Sequence, residues 1–170
     1  ILPQMNRSQY NVGLGEITLY NYISLEDEYE KSSQAELCKF ALLLATDILT
    51  TIDCDDVNNP MIKEGYAVNE DGKWEIEYAR YKTGWILSHQ LAKDTQDIVA
   101  KTALRVVGQA VAAGHMQEHA MAASDYAGKV VNLRFPNDAN AVKQERLWQI
   151  ETLSNLAEAA ELAAAALPRG

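Results

Sequence analysis

Apolar residues in this chain recur at spacings of three and four far more often than they alternate, which predicts helices. The clearest case follows Ser33-Gln-Ala-Glu36, a full capping box. Leu37, Phe40, Ala41, Leu44, Ala45, Ile48 and Leu49 then lie on one face of a helix expected to run to about Thr51. Asp94 to Ala113 is predicted to be the central helix. It carries Ile98, Val99, Ala103, Leu104, Val106, Val107, Ala110 and Val111, with only a narrow polar stripe at Asp97, Lys101 and Arg105. Gly114 should end it. A helix over 116–133 follows, with Met116, Ala120, Ala123, Ala127 and Val130 on one side. After a turn at Pro136-Asn-Asp, one helix carries Val142, Leu147, Trp148 and Ile150. A separate last helix, capped by Ser154, packs Leu156, Ala159, Ala160, Ala163 and Leu167.

The first half is less regular. Residues 1–23 contain Asn11, Gly13 and Gly15 and predict no helix. Ser24 followed by Asp27 is a second capping pattern. Asp53-Cys-Asp-Asp-Val-Asn-Asn-Pro60 reads as a polar connection ending in an Asn-Pro helix start. A short helix over 60–69, an Asp71-Gly72 turn and a helix over about 74–92 are expected. A hairpin at 66–78 is the alternative, because Trp74, Ile76 and Tyr78 alternate with charged residues. The sum is an all-α single domain over residues 1–170, a bundle of six or seven antiparallel helices without an exact internal repeat.

Composition narrows the partners. The net charge of −9 disfavours nucleic acid and anionic membranes, and no apolar run is long enough to span a bilayer. Solubility is the plain reason for such acidity; attraction of a basic protein is the functional one. The opening residues lack a basic stretch followed by an apolar run, so no secretory leader is expected, and Met5 is a candidate start. Cys38 and Cys54 have neither disulfide-framework nor metal-site spacing and read as buried thiols of a cytoplasmic protein. Tyr10, Tyr20, Tyr22 and Tyr29 make an aromatic beginning, suited to an interface or to covering an open end of the core.

One motif carries candidate chemistry. His115-Met-Gln-Glu118-His119 matches H-x-x-E-H, the inverted zinc-peptidase pattern, in which two histidines one turn apart bind a metal and the glutamate acts as general base. His89 is a candidate third ligand. The favoured reading is different. His115 sits at a helix junction and His119 one turn into the next helix, both linking packed helices, with no resident cofactor or stoichiometric zinc. No nucleophile elbow, P-loop or dinucleotide fingerprint occurs, and no enzyme activity is expected. The acidic groups at Glu26, Asp27, Glu28 and Glu30, and at Asp53, Asp55 and Asp56, lack calcium-loop spacing. They read as solvated surface or as docking sites for a basic partner.

The run from Ala103 to Ala120, then Tyr126-Ala127 and Glu145-Arg-Leu-Trp-Gln149, resembles the "putative immunity protein" family, immunity-five-like group. With Ala79-Arg80 and His89 the resemblance covers roughly residues 60–153, and the first 30 residues do not obviously fit. The resemblance implies a short all-helical bacterial protein that neutralises a co-encoded toxin by tight binding. It supplies no catalytic residue. His89, His115, His119, Tyr126, Trp148 and Gln149 match its pattern in structural or binding roles. A metal-binding helical domain and a helical adaptor or scaffold are the alternatives, and the sequence does not specify an oligomeric state.

Overall fold

The computed structural model describes residues 24–51, 90 and 92–165. Among these there are six helices and no strand, as the periodicity predicts. The helices predicted over 60–69 and most of 74–92, the hairpin alternative, Cys54, His89, Asp53, Asp55 and Asp56, the first three tyrosines and Leu167 lie outside the described residues.

Helix α1 includes residues 24–31. A tight turn, in which the Ser32 amide donates to the Tyr29 carbonyl, leads to α2, Gln34–Thr51. The capping box forms in full: the Ser33 amide donates to Glu36 Oε2 at 2.6 Å and the Glu36 amide to Ser33 Oγ at 3.3 Å. All seven residues predicted for the apolar face of α2 are buried, together with Cys38 and Leu42. Burial pushes the Cys38 thiol up to about 11, so it stays a neutral thiol packed in the core.

A short helical stretch ends at residue 94, and α3 then spans Ile98–Ala112. The predicted start at Asp94 is therefore three residues early. The true cap is Asp97, whose carboxylate accepts from the amides of Val99 and Ala100 at 2.7 and 2.9 Å. Nine residues of α3, from Thr102 to Ala112, are buried, and Lys101, Arg105 and Gln109 form its half-exposed stripe. It packs against both α2 and α4, Glu118–Arg134, while α2 and α4 also touch each other. Small buried residues (Ala103 and Ala110 on α3; Ala120, Ala123 and Ala127 on α4) let these backbones approach closely. Met116, expected on the buried side of α4, is 49% exposed, because it lies in the turn before that helix begins.

Phe135 to Asp138 turn the chain into the last helix. Asn137 takes a left-handed conformation, φ 63°, which asparagine tolerates better than most residues. Asp138 caps the helix through the Ala141 amide at 3.0 Å. This helix, α5, is one element from Ala139 to Ala165 rather than two. Ser154 does not start a helix, since no glycine or proline interrupts the run and its alanines, leucines and glutamates favour continuation. α5 packs against α2 and α4, but only up to the level of Leu153 and Leu156. Ala159, Ala160 and Ala163 are exposed instead of packed, and Leu162 is 72% exposed. Leu147, also expected in the core, is 40% exposed.

The cap assignment can be tested. Asp97→Ala should cost about 1 kcal/mol in chemical denaturation, the usual value of an N-cap. Asp94→Ala should leave the midpoint unchanged, because Asp94 lies outside the capping geometry.

Candidate functional site

Three places bear on function: the acidic first helix, the α3–α4 turn with its histidines, and a polar cluster between α4 and α5. On α1, Asp27 and Glu30 are exposed, whereas Glu26 and Glu28 are partly covered. Glu28 Oε1 lies 3.4 Å from Lys31 Nζ, an exposed pair of little energetic weight. Tyr29 points the other way, into the core at 7% exposure, so of the aromatic opening this residue covers the core. Burial, and then the Glu118 carboxylate, raise the pKa of its hydroxyl, while a hydrogen bond with Gln117 works in the opposite sense.

That contact joins α1 to the α3–α4 turn. Gln34 adds a second tie, donating from Nε2 to the Ala113 carbonyl at 2.6 Å. Within the turn the His115 and Met116 amides donate to the Ala112 carbonyl at 3.1 and 3.3 Å. His115 is exposed in this turn; His119 is half-buried in the first turn of α4. His119 Nδ1 lies 2.6 Å from Gln109 Oε1 on α3, which ties the two helices. The ring centroids of the two histidines are 5.3 Å apart. The H-x-x-E-H residues therefore do not share one continuous helix, as the peptidase pattern requires. Glu118, the would-be base, faces the Tyr29 hydroxyl closely enough to perturb it. No group of three or more metal-ligating side chains occurs among the described residues.

The third place was visible in the sequence only as the run Glu145-Arg-Leu-Trp-Gln149. Val142, Arg146, Gln149 and Leu153 are the buried residues of α5, spaced four, three and four apart. Two polar side chains thus occupy the phase of an apolar stripe, a signal that periodicity alone could have supplied. The Arg146 guanidinium is 1% exposed and reaches α4. Its Nη2 donates to Asp125 Oδ1 at 2.8 Å; its Nη1 donates to Ser124 Oγ, and to Gln149 Oε1 at 2.8 Å. Ser124 Oγ donates to Gln149 Oε1 at 2.6 Å, and Gln149 Nε2 donates to Glu145 Oε1 at 2.6 Å.

Charge balance at this cluster is uneven. Burial raises the pKa of Glu145; the Gln149 hydrogen bond opposes this, the Asp47 carboxylate of α2 adds to it, and Arg146 opposes it. Burial likewise raises Asp47. Each of these side chains is engaged by at least one other, and the Arg146 contacts tie α5 to α4.

The family model described as "Imm-5 like putative immunity protein" matches residues 27–156, most of the chain, so the chain belongs to that family. The match starts well upstream of residue 60 and takes in residues 27–31 of α1 and the whole of α2. No curated protein and no solved structure matches the chain.

Two measurements test the polar cluster. Arg146→Ala should cost about 3–5 kcal/mol of stability, because it empties a buried site and removes the donor shared by Asp125, Ser124 and Gln149. The pH dependence has a definite sign. Glu145 and Asp47 hold raised values in the folded state, so their contribution is greatest in mild acid. It falls as the pH rises above about 4, the ordinary carboxylate range, towards neutrality. Glu145→Gln should flatten the stability–pH curve over this interval relative to wild type while keeping an oxygen acceptor for Gln149.

Proposed function

We propose that this chain, as a member of the Imm-5 like family, binds a cognate bacterial toxin and blocks it without chemical turnover. The match over residues 27–156 carries the reading. Among the described residues the polar clusters serve helix–helix contacts, and no helix is long and apolar enough to cross a membrane. The reading places the protein in the cytoplasm, where it would meet the toxin.

A net charge of −9 favours encounter with a basic toxin surface by long-range attraction. On α1, Asp27 and Glu30 are exposed and Glu26 and Glu28 partly so, which makes this helix one candidate docking edge. Asp55 and Asp56 are the second candidate, from sequence alone. Charges at the rim of an interface act mainly on association rate, whereas a buried anchor controls dissociation.

The cellular test is protection. A sensitive host expressing the toxin encoded beside this protein should survive only when the protein is co-expressed. Absence of protection, together with absence of a complex between the purified partners, would refute the immunity reading. In stopped-flow mixing, reversing the charges of Asp55 and Asp56 should slow association, and the slowing should be larger at low salt than at high salt.

A further inference from the structure

The α3–α4 turn presents an apolar side chain on an ordered backbone. His115, Met116, Gln117 and Glu118 are consecutive exposed residues between two well-buried helices. Met116 leaves 49% of its surface open to solvent and precedes the first residue of α4. Methionine is unbranched and polarizable, so it adapts to an irregular pocket, and it is enriched at protein interfaces.

The backbone under it is fixed. The Met116 amide donates to the Ala112 carbonyl at 3.3 Å, and the Met116 carbonyl accepts from the His119 amide at 3.1 Å. Side chains reach the same segment from three helices: Tyr29 of α1 at Gln117, Gln34 of α2 at the Ala113 carbonyl, and Gln109 of α3 at His119. Docking there orders little beyond the methionine side chain itself. Other exposed apolar residues lack this combination. The Phe135 ring has the Arg134 guanidinium over it, 5.3 Å from its centroid. Leu162 stands on the part of α5 that runs beyond the core.

Charge identifies the kind of partner. No lysine or arginine occurs between Arg105 and Lys129, whereas Glu118 is exposed beside Met116. Glu26 and Glu30 lie within one helical turn of Tyr29, the α1 residue that meets Gln117. A second copy of this chain set turn against turn would oppose Glu118 to its own equivalent. An apolar pocket with a lysine or arginine rim is complementary.

We propose that Met116 is the apolar anchor of the toxin interface, entering a pocket on the toxin whose basic rim faces Glu118. This rests on the immunity reading and adds to it the place and chemistry of contact. The anchor acts on dissociation and Glu118 on association.

The test is stopped-flow measurement of both rates for the full chain with the purified toxin domain encoded beside it. Met116→Ala should raise the dissociation rate about tenfold, with association within about twofold of wild type and an unchanged circular dichroism spectrum. Met116→Leu, which keeps the apolar volume, should retain slow dissociation. Glu118→Gln should slow association, more at low salt than at high salt. Leu162→Ala, which trims a more exposed apolar residue elsewhere, should change neither rate. Wild-type dissociation in Met116→Ala, or acceleration by Leu162→Ala in its place, would overturn the anchor while the immunity reading stands. If the wild-type chain forms no complex with the toxin domain, the immunity reading fails and the anchor falls with it.

Discussion

The packing of the last helix depends on one buried cation. Arg146 is the largest fully buried side chain among the described residues and sits on the inner face of α5. An isolated guanidinium in such a place is costly, so α5 can dock only where α4 supplies compensation. Asp125 supplies the charge, and Ser124 and Gln149 supply oxygen acceptors. This ties the register of α5 to that of α4 more strictly than Val142 and Leu153 alone would. Apolar side chains tolerate a shift, whereas a fork of donors matched to particular oxygens does not. The gain is specificity of pairing; the net stabilisation of such a cluster is small compared with the loss on breaking it.

The same constraint accounts for the shape of α5. Its inner face is anchored from Val142 to Leu153, with Leu156 packed at the edge of the core. Further along, an alanine- and glutamate-rich segment has strong helix propensity and nothing to bury. The helix therefore continues into solvent on propensity, as an extension of a packed helix that needs no new nucleation.

Where α4 begins, a second set of contacts serves the same purpose. Gln34, Tyr29 and Gln109 each reach the α3–α4 turn from a different helix. The turn is consequently held in one geometry although His115 and Met116 are exposed. A surface both exposed and braced suits recognition, because little ordering entropy is lost on contact. The acidic helix α1 is joined to this turn through Tyr29.

Local physics was legible in the sequence where one element decides the outcome. The Ser33–Glu36 capping box, the seven-residue face of α2, the turn at Pro136-Asn-Asp and the all-helical class each follow from short-range spacing, and each is present. The family too was legible, from the Ala103–Ala120 stretch and the Glu145–Gln149 run. What could not be read was anything requiring two elements at once. Asp94 and Asp97 are both acceptable caps in sequence, and the choice between them depends on where the preceding helix ends. Ser154 is an acceptable cap as well, but the docked helix runs through it. Periodicity puts Arg146 and Gln149 in the buried phase of α5, but their partners Ser124 and Asp125 come from about twenty residues away on another helix. The proximity of His115 to His119 follows from local spacing, but Gln109 becomes their partner only when α3 folds back beside α4. Spacing along the chain determines which face is apolar; the cost of burying charge, met only by a neighbouring helix, determines how the faces are matched.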